Sequence, residues 1–243
     1  MAVALGILLP ALYLFFVLIV VFAWNDVIAW MRFDGTWDSA LNRADAWLLG
    51  GLTVGGMANA AMARLPLGVF KFLQIVYFGM FPQLGACIIL LAFRSRRQEA
   101  MKFVAAIATA YYIALALFYF LPATGPYFLC HSHRGGFPPG AAIAQQLLAF
   151  EKRQPIGQIG LDYYIAFPCM HIAQPIIVLC FLRPWKRIAA FLASFDVLLI
   201  AAILLLQQHY IVDLLGGVAV ALLAVSIVGW PERRLSEESR GRC

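Results

Sequence analysis

Apolar residues run along this chain in long blocks separated by short polar stretches. Six blocks, at 4–24, 69–93, 101–121, 166–182, 187–206 and 211–230, fall in the range of roughly 17–25 residues that a membrane-crossing helix needs. Each predicts a transmembrane helix. The stretch 45–65 is also apolar, but it is glycine-rich and flanked by Arg43 and Arg64. It predicts an interfacial or re-entrant helix and not a seventh span. The expected fold is all-α: a polytopic six-transmembrane-helix bundle with a short interfacial helix after the first span. The expected divisions are an anchor span and loop over 1–43, a membrane domain over 44–230 and a cytoplasmic tail over 231–243. The start lacks a basic n-region, and its apolar run through Ala23 is longer than a signal h-region, so it reads as an anchor.

Composition strengthens this picture. Of 243 residues, 63% are hydrophobic and 12% charged, with a mean hydropathy of +0.85. Soluble domains carry about 25% charge, so a water-soluble globule is excluded. The net charge of +6 comes from basic residues in short clusters between apolar runs, which speaks against a nucleic-acid partner.

The placement of those charges orients the chain. Six spans put Arg94, Arg96, Arg97, Lys102, Arg183, Lys186, Arg187, Arg233, Arg234, Arg240 and Arg242 on one side, in short segments. Arg32, Arg43, Arg64, Lys71, Arg134, Lys152 and Arg153 fall on the other side, spread over long loops. The positive-inside rule makes the first side, with both termini, cytoplasmic. Loops 25–68, 122–165 and 207–210 then face the periplasm, the exterior or an organelle lumen, and a bacterial inner membrane is the expected location.

All four histidines (His131, His133, His171 and His209) lie toward that outer side. His131 and His133 sit in a polar stretch. His171 and His209 sit at the mouths of apolar spans, where ionisable groups are costly and usually functional. In Gln208-His209-Tyr210-Ile211-Val212-Asp213, His209 and Asp213 are four apart and would share a helix face. A carboxylate beside an imidazole fixes its tautomer and makes the far nitrogen more basic, which suits a nucleophile. The same pair could equally serve only to hold two helices together. Gly216 and Gly217 would let a neighbouring helix come close. In Phe167-Pro168-Cys169-Met170-His171, Pro168 suits the first turn of a helix, so His171 would face the same boundary and could protonate a leaving oxygen. Pro122, Gly125 and Pro126 predict a rigid turn after the third span. Asp196, mid-span, would hydrogen-bond inside the bundle.

The five cysteines (Cys87, Cys130, Cys169, Cys180 and Cys243) are odd in number and lack metal-type spacing, which argues against a disulfide framework or a zinc site. Nothing in the spacing requires a Cys130–Cys169 bridge.

Phe-Pro-x-x-His followed some forty residues later by Gln-His-Tyr-x-x-Asp-x-x-x-Gly resembles the type 2 phosphatidic acid phosphatase superfamily. The Pro-x-x-Gly-Pro-Tyr turn, the segment Ala44–Gly51 and Tyr77 narrow the resemblance to the branch of inositol phosphorylceramide synthase and its inositolphosphotransferase-like relatives. The resemblance covers roughly residues 44–220. It implies that His209 attacks phosphorus and forms a phosphohistidine, that Asp213 orients His209, and that His171 protonates the leaving oxygen. It implies no metal and no cofactor, and lipid substrates drawn from the bilayer; the oligomeric state is left open. The implied activity is transfer of a phospho-head group to a hydrophobic alcohol of the ceramide or diacylglycerol type. Two alternatives stay open: a phosphatase acting on phosphatidate or a polyprenyl pyrophosphate, and a degenerate, non-catalytic scaffold.

Two departures bear on the site. The family's usual serine two residues before the first histidine is Cys169, and Ile203 stands where the wider superfamily often has arginine. The cation that holds the phosphate is therefore sought among Arg134, Lys71, Lys152 and Arg153, with Arg134 favoured and Cys169 as a further phosphate contact.

Overall fold

The computed structural model describes residues 2–32, 35–93, 97–127 and 165–231, and every regular element among them is an α-helix. In chain order these are α1 (Ala2–Arg32), α2 (Asp38–Leu48), α3 (Val54–Met62), α4 (Leu67–Phe78), α5 (Met80–Phe93), α6 (Arg97–Phe120), α7 (Met170–Leu182), α8 (Lys186–Leu205) and α9 (Ile211–Val228). Five stretches among the described residues are long and apolar enough to cross a membrane: Gly6–Arg32, Leu67–Phe93, Arg97–Phe120, Lys186–Leu205 and Ile211–Val228.

The fourth expected block, 166–182, is shorter as a helix than the sequence implied. α7 has 13 residues, which at 1.5 Å per residue is only about 20 Å. Ile165 to Cys169 precede it as irregular chain, with Cys169 as N-cap and a cis peptide at Phe167–Pro168. Pro168 thus lies just outside the helix, not in its first turn. α7 can be short because it touches α5, α6, α8 and α9, and Met170 to Pro175 are all buried.

The stretch 45–65 forms two short helices where one was expected. α2 ends before Gly50 and Gly51, whose φ values of 63° and 97° favour glycine and turn the chain. α3 then starts at a Thr53 cap, whose hydroxyl accepts from the Gly56 N–H at 3.1 Å. α2 leans on α9 and α3 on α8.

Two apolar cores share α7. One gathers α1, α5, α6, α7 and α9 around Phe103, Phe118, Ile177 and Phe181. The other joins α4, α7 and α8 through Leu73, Ile172, Leu199 and Ile203. Small residues set the spacing: Ala106, Ala110 and Ala114 of α6 are wholly buried, so backbones approach closely, as membrane helices favour. Asp196 of α8 does find a partner in the bundle. Gln83 of α5 donates to its Oδ1 at 2.8 Å.

Candidate active site

The site lies where α6 ends and where α7 and α9 begin. Backbone hydrogen bonds stitch the three sequence motifs together at this end of the bundle. Ala166 N–H donates to Ala123 O at 3.0 Å, Tyr127 N–H to Gln207 O at 3.0 Å, and Cys169 N–H to Asp213 O at 3.0 Å. The turn after α6 thus contacts both histidine motifs, as its prolines and glycine implied.

Glycines permit this closeness. A Cβ on Gly217 would fall 2.3 Å from the Cys169 carbonyl oxygen, and one on Gly216 would fall 2.7 Å from the Phe167 ring. Gly125, at φ 101°, has the Gln208 carbonyl oxygen where a Cβ would lie, 2.5 Å away.

His209 is not on α9, as the four-residue spacing suggested, but two residues before it. Asp213 occupies the first turn of α9 and reaches back. Its Oδ2 accepts the Tyr210 N–H at 2.8 Å and lies 3.4 Å from His209 Nδ1. Tyr210 and Asp213 close this turn as a capping box. The shorter contact of His209 Nδ1 is the Ala166 carbonyl oxygen at 2.9 Å. A carbonyl can only accept, so Nδ1 carries a proton and Nε2 is the nitrogen free to react.

That Nε2 faces His171. The distance from His209 Nε2 to His171 Nδ1 is 3.2 Å, and both residues are buried. The Tyr77 ring of α4 packs against the His171 imidazole, centroid to centroid 4.2 Å. Cys169 is a free, fully buried thiol beside the two rings. Burial alone would push the His209 imidazole down, but the Cys169 sulfur and the Asp213 carboxylate outweigh it and raise the ring above the usual histidine range.

Two aspartates that carried no assigned role prove central. Asp45 of α2 is wholly buried and accepts the Ile211 and Val212 N–H groups at 2.9 and 3.1 Å. It caps α9 from outside the helix, satisfying amides that have no partner within it. Burial raises its carboxyl above the usual range, against the pull of those two amides. Asp38 accepts from Thr124 N–H at 3.0 Å, Gly125 N–H at 2.8 Å, the Thr124 hydroxyl at 3.0 Å and the Tyr210 hydroxyl at 3.2 Å. It ties α2, the turn after α6 and the His209 segment into one unit. A signal existed: Asp38 and Asp45 are seven apart, two helical turns, and so lie on one face of α2. Their partners, however, lie more than 80 residues away in the chain.

Removing the Asp38 carboxylate strands buried donors, which costs about 1–3 kcal/mol for each unmet group. Asp38→Ala is therefore expected to lower the thermal midpoint in detergent by several degrees and to cut turnover. A midpoint unchanged from wild type would reject the tie.

The sequence-nominated phosphate contacts fare differently. Cys169 lies at the site. Lys71 is exposed on α4. Arg134, Lys152 and Arg153 lie outside the described residues, as do His131 and His133. Among the described residues, no arginine or lysine bonds to His171, His209 or Asp213.

A family model described as the PAP2 superfamily matches residues 39–227. No curated protein sequence matches the chain, and no solved structure does. The chain belongs to the PAP2 superfamily and is an enzyme of the lipid phosphatase or phosphotransferase type. It is a helical membrane protein whose plausible substrates are lipids.

Proposed function

We propose that the protein is a lipid phosphotransferase that moves a phosphorylated head group onto a hydrophobic alcohol of the ceramide or diacylglycerol type, as inositolphosphotransferases do. The carrying observation is the arrangement of His209: Nδ1 tied to the Ala166 carbonyl and the Asp213 carboxylate, Nε2 turned to His171. An imidazole held by one nitrogen presents the other as a nucleophile.

The contact of His209 with His171 holds one proton between the rings. Moving it to His171 frees the Nε2 lone pair and charges the acid. Nε2 attacks phosphorus, the bond from phosphorus to the leaving oxygen breaks, and His171 gives that oxygen its proton. In the second step His171 takes the proton of the acceptor hydroxyl, whose oxygen attacks phosphorus as the phosphorus–nitrogen bond breaks. A phosphoryl group does not fit within 3.2 Å, so the rings part when substrate binds.

In this reading α7 is a sixth span, shielded from lipid by its neighbours. The site opens on the side away from the basic loops, and Arg134 is the first choice for the cation that holds the phosphate.

The test is lipid-linked radiolabelled phosphate turned over in membranes, with and without added ceramide or diacylglycerol. Label moving onto the alcohol is expected. Release of free phosphate, indifferent to the alcohol, would replace transferase with phosphatase; no turnover of any lipid phosphate would reject both.

A further inference from the structure

We propose that Cys169, His171 and His209 form a zinc site whose occupation blocks His209. The Cys169 sulfur and one ring nitrogen of each histidine lie within 4.8 Å of one another, and all three residues are buried. One thiolate and two imidazoles form a ligand set that suits zinc, with a fourth position left open.

The spacing of the nitrogens accommodates an ion. In a tetrahedral site with zinc–nitrogen bonds of about 2.0–2.1 Å, two nitrogens stand roughly 3.3–3.4 Å apart. His171 Nδ1 and His209 Nε2 are 3.2 Å apart already. A phosphoryl group has to open this gap, whereas a zinc ion does not. Two imidazole nitrogens this close also require a positive centre between them, either a proton or a metal.

The surroundings of His209 agree. Zinc-bound histidines commonly donate their other N–H to a carbonyl or carboxylate, which orients the ring. His209 does so, with Nδ1 against the Ala166 carbonyl at 2.9 Å and Asp213 behind it. The third ligand depends on Cys169 standing where the family resemblance leads one to expect serine. A serine hydroxyl is a poor zinc ligand at neutral pH and a thiolate is a good one. Binding releases the thiol proton and the proton shared between the two rings to solvent, and the thiolate and the two nitrogen lone pairs then bond the ion. With its Nε2 lone pair bound, His209 cannot attack phosphorus. This inhibitory half rests on the function proposed above, and the binding half does not.

The test uses the full-length protein in detergent. Cobalt added as a probe is expected to give a near-ultraviolet thiolate-to-metal band, and Cys169→Ser to abolish that band. Outer-shell changes weaken metal binding about 10–100-fold, so losing a direct ligand is expected to cost more than about 100-fold in zinc affinity. X-ray absorption of wild-type protein loaded with equimolar zinc needs no variant. It is expected to show one sulfur at about 2.3 Å and two nitrogens at about 2.0–2.1 Å. A shell without sulfur, or a sulfur ligand that survives Cys169→Ser, overturns the site. Equimolar zinc is also expected to suppress lipid-phosphate turnover and a chelator to restore it; bound zinc with full turnover overturns the inhibitory role. Zinc held through Cys169 in a protein that turns over no lipid phosphate would sustain the site and overturn the enzymatic reading.

Discussion

His209→Ala is expected to abolish turnover, with a loss of about 10⁴–10⁶-fold, the scale seen when a covalent nucleophile is removed. The imidazole is held on one side by Ala166 and Asp213 and faces His171 on the other. Wild-type protein quenched during turnover should carry an acid-labile phosphate, and His209→Ala should carry none. A variant keeping more than a few per cent of the wild-type rate would remove His209 from the role. Asp213→Asn should be milder. Where a carboxylate alone fixes a catalytic histidine, its amide costs about 10⁴-fold through the wrong tautomer. Here the Ala166 carbonyl already fixes the proton on Nδ1, and an asparagine oxygen can still accept the Tyr210 N–H. A loss nearer 10²-fold is therefore expected, a drop that initial rates would separate from the larger one.

Gly217→Ala should be among the most damaging single methyl additions at the described glycines. Its Cβ would lie 2.3 Å from the Cys169 carbonyl oxygen, which is backbone and cannot rotate away. That carbonyl belongs to the N-cap of α7, so relief requires α7 and α9 to separate. Overpacking of this kind costs about 1–3 kcal/mol, and more where backbone must move. Turnover should fall further than stability, because the same separation carries His171 away from His209. Gly85→Ala, where a Cβ meets nothing within 4 Å, is the control and should leave both unchanged. Equal melting curves and equal rates for the two variants would refute the close approach.

The helices were legible in the sequence because a bilayer imposes a simple demand, a long apolar run for each crossing. α6, α8 and α9 fall within a few residues of their expected ranges. α7 departed because a helix enclosed by others can be shorter than one that faces lipid, and sequence periodicity does not say which helix will be enclosed. The 45–65 stretch forms two short helices, and the break at Gly50 and Gly51 depends on φ values that composition only hints at. At the site, the histidines stood out as costly residues at span ends, and the structure brings His171, His209 and Asp213 together. What could not be read was everything reaching them from afar. The Ala166 carbonyl is backbone and leaves no mark in the residue types. Asp38 and Asp45 look like loop acids until the turn and α9 are placed against them. Cys169 is nominated by its place two residues before His171, but its closeness to His209 comes only from folding.

The four donors converging on Asp38 among the described residues bear on how portable this chemistry is. The matched stretch begins at residue 39, one position past the carboxylate that anchors both the Thr124–Gly125 turn and Tyr210. A fragment cut at that boundary would retain both histidine motifs intact and lose the strut between them. A chimera meant to carry this site into another scaffold therefore has to bring the start of α2 with it.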